Sequence, residues 1–158
     1  MRRPLAVLAV VALAAAALAS FAAIASSATS KPATVKTGTS SLGKIVVDGK
    51  SHTLYLFKKD KNGKSACSGA CAQNWPPLLT KGAPKAGAGA KAGLLGTTRR
   101  SDGTTQVTYN RHPLYTFVAD KGKPGSTTGQ GIDAFGARWY VVAGNGTAKT
   151  GGSQTGGY

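Results

Sequence analysis

The chain has no glutamate. Its acids are five aspartates, Asp48, Asp60, Asp102, Asp120 and Asp133, set against 20 lysines and arginines in 158 residues. Hydrolysis by a carboxylate pair would need two of these five to face each other. A serine nucleophile elbow, an HExxH helix and a phosphate-binding glycine loop are also missing. The nearest glycine-rich stretches, "GLLGT" (93–97) and "GQGID" (129–133), lack a strand–helix setting and are expected to make turns. Cysteine occurs only as Cys67 and Cys71, so nothing near the N-terminus could accept a lipid anchor. No long apolar stripe of helical period follows residue 43, which leaves at most a turn or two of helix around "SGACAQNW" (68–75). These absences argue against an enzyme and against a helical fold.

The N-terminus is where apolar residues are concentrated. Arg2 and Arg3 precede an uncharged run from Pro4 to Ala28 that ends in small residues, with cleavage expected after Ala25 or Ala28. That pattern predicts a secretory signal peptide over 1–28; the Arg-Arg pair hints at twin-arginine export, and an uncleaved anchor is the alternative. Residues 29–42 are small and polar and are expected to be a flexible linker, and the Gly-rich stretch 144–158 a disordered tail. The foldable region is then about 43–143, the size of one domain. The net charge is +15, or +13 without Arg2 and Arg3. For a secreted chain this favours anionic wall polymer or membrane surface over specific nucleic-acid binding. Lysines that merely keep the domain soluble are the competing reading.

Within the foldable region the sequence repeats itself. "HTLYLFKKD" (52–60) returns as "HPLYTFVAD" (112–120), matching at His, Leu, Tyr, Phe and Asp. Each copy follows a β-branched segment and a turn: "KIVV" (44–47) with Asp48-Gly49, and "TQVTY" (105–109) with Asn110-Arg111. Each is followed by a tryptophan, Trp75 or Trp139, the latter in a further strand, "RWYVVA" (138–143). This pattern predicts an all-β, mainly antiparallel domain. Two related hairpin units, about 43–80 and 94–143, would pack with pseudo-two-fold symmetry into one small sandwich or barrel. Neither unit is large enough to bury its apolar face alone.

Strand alternation places Tyr55 and Phe57, and Tyr115 and Phe117, opposite the leucines, so the Tyr/Phe face is the expected centre of the core. Asp60 and Asp120 fall just past the strands. Each could accept backbone N–H bonds in a turn, take the hydroxyl proton of its own unit's tyrosine, or share a cation with its counterpart. Cys67 and Cys71 are expected to form a local disulfide in an oxidising compartment. The alternative is a redox or copper/zinc centre using Cys67, Cys71, His52 and His112, although their spacing is not diagnostic.

The motifs together resemble the bacterial secreted repeat of unknown function, a family that includes predicted lipoproteins with a Tyr-x-aromatic-x-x-Asp motif. The resemblance rests on Tyr55-Leu56-Phe57-Lys58-Lys59-Asp60, Tyr115-Thr116-Phe117-Val118-Ala119-Asp120, "CSGACAQNWPPLL" (67–79), "LLGTTRRSDGTTQVTYN" (94–110), "GQG" (129–131) and "FGARWYVV" (135–142). It implies an extracytoplasmic repeat domain without an assigned activity or cofactor. It departs from the lipoprotein members in lacking a lipidated cysteine.

Overall fold

A computed structural model describes residues 31–151; the signal-peptide reading lies outside them. The described chain is nearly all β. Nine short strands form three three-stranded sheets, none of them a closed barrel. In chain order the strands are β1 (Thr34–Ser40), β2 (Gly43–Asp48), β3 (Tyr55–Phe57), β4 (Lys85–Ala86), β5 (Leu95–Arg99), β6 (Thr105–Tyr109), β7 (His112–Pro113), β8 (Asp133–Ala134) and β9 (Ala137–Val141). The sheets run β2-β1-β4, β3-β9-β8 and β5-β6-β7, antiparallel except where β4 joins β1. One short helix, α1 (Ala70–Asn74), lies inside the stretch where a turn or two was expected.

The two copies of the motif meet backbone to backbone. Tyr55 N donates to Tyr115 O at 2.8 Å and Tyr115 N donates to Tyr55 O at 3.0 Å. One residue earlier, each copy enters a closed ring of three backbone hydrogen bonds. Val46 N donates to Val142 O, Val142 N to Leu54 O, and Leu54 N to Val46 O, at 2.8 to 3.0 Å. The second ring joins Val107, Leu78 and Leu114 in the same order. Val142 belongs to the second repeat and closes the ring of the first; Leu78 belongs to the first and closes the ring of the second. The two units are therefore interlocked, each lending its segment after the tryptophan to the other.

Strand alternation holds, but both faces are interior. Tyr55, Phe57, Tyr115, Trp75 and Trp139 share one cluster with the two cysteines. Leu54, Leu56, Leu114, Val46, Val107 and Tyr109 form a second on the opposite side. Since all of these residues are buried, the Tyr/Phe face is one of two cores rather than the single centre.

Three expectations are corrected. The presumed linker 29–42 contains β1, which pairs with β2 from Val35↔Asp48 to Ser40↔Gly43 and buries Val35 completely. Alternating Val, Thr and Lys in "TVKTGTS" is enough for a strand once β2 offers an edge. "GLLGT" is not a turn: Leu95–Arg99 is β5, zipped to β6. The tail folds back as far as it is described. Lys149 N donates to Val141 O and Lys149 Nζ to Leu42 O, both at 2.8 Å, and Gln130 holds the Lys149 carbonyl. Residues 152–158 lie outside the described region. The turn after Asp48 also differs in kind. It is Ser51, not Gly49, that takes positive φ (71°), and Asp48 Oδ1 accepts the amides of Lys50 and His52.

Val35→Asp tests the strand assignment. A charge buried in the second core should cost several kcal/mol, a large share of a 5–15 kcal/mol domain. Lys31→Asp, at an exposed position just ahead, should be near neutral. Urea denaturation midpoints separate the two.

Candidate functional site

The doubled motif builds one aromatic column. Phe57, Trp139, Trp75 and Phe117 stack in that order with centroids 4.0 Å apart at each step. Tyr55 meets Trp75 edge-on at 5.3 Å and Tyr115 meets Trp139 edge-on at 5.1 Å. Each phenylalanine thus stacks on the other repeat's tryptophan, while each tyrosine braces the tryptophan of its own. Such pairs add about 0.5–1.5 kcal/mol each beyond area burial. The column explains Gly129, where a Cβ would lie 2.8 Å from Trp75 Cη2 and 2.9 Å from Tyr55 Cε1.

The aspartates cap this column, with the partners exchanged. Tyr55 Oη donates to Asp120 Oδ2 at 2.7 Å, and Tyr115 Oη donates to Asp60 Oδ2 at 2.8 Å. The expectation that each aspartate serves its own unit's tyrosine is therefore wrong. The interlock carries each strand end past the neighbouring repeat's tyrosine. The turn-closing role also holds: Asp60 Oδ1 accepts from Ala66 N at 2.7 Å and Asp120 Oδ1 from Thr128 N at 3.0 Å. Burial, followed by the adjacent carboxylate, pushes both phenols well above the ordinary tyrosine range.

Around these clasps the two halves differ. Asp120 Oδ1 also takes the hydroxyls of Ser126 and Thr128, at 2.8 and 2.6 Å. On the other side stands a buried Arg100. Its guanidinium reaches Gln106 Oε1 (2.8 Å), Ser65 Oγ (2.9 Å) and Cys67 O (2.7 Å), with Nε 3.5 Å from Asp102. Ser65 Oγ lies 2.8 Å from the Tyr115 hydroxyl. Burial raises the Asp60 pKa from 3.8 to about 6, opposed by Ala66 N–H, the Tyr115 hydroxyl and Arg100. Nothing in "TTRRSDG" (97–103) marks Arg100 rather than Arg99 as the inward residue except strand alternation from the buried Thr98.

Cys67 and Cys71 are joined as a disulfide across the loop that leads into α1, and Trp75 N donates to Cys71 O at 2.8 Å. So short a loop contributes on the order of 2 kcal/mol of chain-entropy stabilisation. The alternative Cys2His2 set is not brought together. Both sulfurs are in the disulfide, and among the described residues no group of three or more His, Cys, Asp or Glu gathers. Asp60 and Asp120 each hold a separate tyrosine.

The histidines sit at related places outside the column. His52 Nδ1 is 3.0 Å from Asp48 Oδ2, and its imidazole lies against Gly122. It lines a cavity of about 190 Å³ with Thr53, Thr116, Phe117, Asp120 and Lys123. His112 is half-buried opposite Tyr109; desolvation, then Lys58, holds its pKa below the ordinary value. Asp48 and Arg100 are the functional-looking residues that motif reasoning missed.

Two predictions follow from the clasps. In a double-mutant cycle, Tyr55→Phe and Asp120→Asn should couple by on the order of 1 kcal/mol or more, whereas Tyr55→Phe and Asp60→Asn should add within about 0.5 kcal/mol. The second concerns pH. Asp60 binds its proton more tightly folded than unfolded. Its contribution to stability is therefore full below about 3.8 and is lost as pH rises through about 6. A carboxyl NMR titration should place its midpoint near 6, and Tyr115→Phe, which removes a hydrogen bond to the ionised form, should move it higher.

No match is found among curated proteins or solved structures. A family profile described as a secreted repeat of unknown function matches residues 36–79 and 96–143, more than half of the chain and both copies of the motif. The chain, with β1 from Lys36 onward inside the first matched segment, belongs to the family of secreted repeats of unknown function.

Proposed function

We propose that the protein is a noncatalytic extracellular module that associates, through its lysines, with anionic wall polymer or membrane surface. The observation that carries this reading is a segregation of charge. The acids are consumed locally. Asp60 and Asp120 clasp tyrosines, Asp48 holds His52, Asp102 lies against Arg100, and Asp133 is 3.9 Å from Arg138. Among the described residues no lysine forms an ion pair, and all lysines except Lys36 and Lys149 are exposed. Where lysine heads have protein partners they are carbonyls, as for Lys59 on Phe135 O and Lys149 on Leu42 O, which leave the charge uncompensated. The lysine-rich surface is thus available to a polyanion, with Asp102 and Asp133 the exposed acids among the described residues, each beside an arginine.

The motif residues supply the scaffold for this surface. The first copy leads straight into the loop bearing Lys58, Lys59, Lys61 and Lys64, and the second into Lys121 and Lys123. Fixing Asp60 and Asp120 inside therefore fixes two basic loops outside. Binding of the exported protein to soluble poly(glycerol phosphate) should weaken by about tenfold or more as ionic strength rises from low salt to a few hundred millimolar. Binding that is absent at low salt, or unchanged at high salt, contradicts the proposal.

A further inference from the structure

The β8–β9 hairpin turns through Phe135 and Gly136, whose φ angles are 59° and 91°. Two positive φ values at the centre of a two-residue loop are the signature of a type I′ turn. Asn, Asp and Gly adopt it readily; a bulky aromatic at its first position is an outlier. Phe135 is not one of the buried core residues. It is 40% exposed, whereas Phe57 and Phe117 are packed into the aromatic column. The turn is not loose. Ala134 and Ala137 pack on the aromatic cluster, and Trp139 Nε1 donates to Ala134 O at 3.2 Å. A hairpin anchored on the aromatic cluster therefore leaves an aromatic side chain partly open to solvent at its turn.

Basic residues flank the hairpin. Lys59 Nζ donates to Phe135 O at 3.2 Å, so its charge sits at the turn, and the backbone bond from Lys58 N to Arg138 O at 3.0 Å sets those two residues side by side at the base of the hairpin, with the Lys58 charge also felt by His112. Lys58, Lys59 and Arg138 are exposed, and the one acid of the hairpin, Asp133, sits across from Arg138. The tip is net positive and apolar at its point. A phosphodiester polymer would be served by the cations alone and would gain nothing from the ring. An anionic bilayer offers both headgroup phosphates and, just beneath them, an apolar boundary that accepts an aromatic.

We propose that the Phe135 hairpin is a membrane-docking tip. The ring enters the headgroup–acyl boundary of an anionic bilayer while Lys58, Lys59 and Arg138 lie on lipid phosphates. This rests on the charge reading above and narrows it, choosing lipid surface over wall polymer. Phe135→Asn is the informative variant because asparagine suits the turn better, so it should fold and melt a few degrees higher. Exported wild type, Phe135→Asn and Phe135→Trp are compared on phosphatidylglycerol-containing vesicles, on pure phosphatidylcholine vesicles and on soluble poly(glycerol phosphate). The expected result is a loss of about tenfold in partition to the anionic vesicles for Phe135→Asn. Phe135→Trp should retain partition, and all three proteins should bind the polymer equally. If Phe135→Asn binds anionic vesicles as wild type does, the docking tip is overturned while the charge reading stands. If wild type binds the polymer but no vesicle, the tip is likewise overturned. If it binds neither, the charge reading fails and the tip with it.

Discussion

The amides of Tyr55 and Tyr115 donate to each other's carbonyls, and every other contact between the repeats takes its position from that pair. Once the two strands are pinned there, alternation sends both tyrosines to the aromatic side and Leu54 and Leu114 to the aliphatic side. The residues just before the tyrosines then join two hydrogen-bonded rings, each completed by the other repeat. The residues just after them deliver Phe57 to Trp139 and Phe117 to Trp75. Asp60 and Asp120 arrive beside the opposite tyrosine for the same reason. What reads as one motif used twice is one interlock seen from its two sides.

This arrangement separates groups that the motif sets close together in sequence. A tyrosine, an aspartate and a histidine close in sequence look like a reactive set. Here the tyrosine and the aspartate each have their partner in the other copy, and the histidines lie outside the clasps. Asp60 and Asp120 are spent on phenols and turn amides, and Asp48 on turn amides and His52.

The sequence made much of this visible. Period-two alternation in "HTLYLF" separated the faces correctly, and the 60-residue offset identified both hairpins, both tryptophans and the family. The cysteine pair was readable from compartment and spacing. What failed did so for physical reasons. β1 is polar because it runs along the outer side of β2, yet Val35 stands 60 residues before Leu95 of β5, so the offset itself held the missing signal. The described part of the Gly-rich stretch after Gly144 is held at Lys149 by partners distant in sequence, Leu42 and Gln130. The exchange of aspartates could not be read at all. Both pairings satisfy the same hydrogen bonds, and only the three-dimensional path of the strands chooses between them. Arg100 is buried against Ser65, Cys67 and Gln106, a set of partners that no local pattern announces.

The central claim is that neither repeat completes its own fold. It is tested most directly by dividing the chain in the exposed loop after Lys81 and producing the two fragments separately and together. Each fragment alone should lack the near-ultraviolet dichroism of packed tryptophan. Mixed, they should recover it as a one-to-one complex, because each supplies the ring-closing segment and the clasping aspartate of the other. A single fragment that folds by itself with a native-like aromatic signal would contradict the interlock.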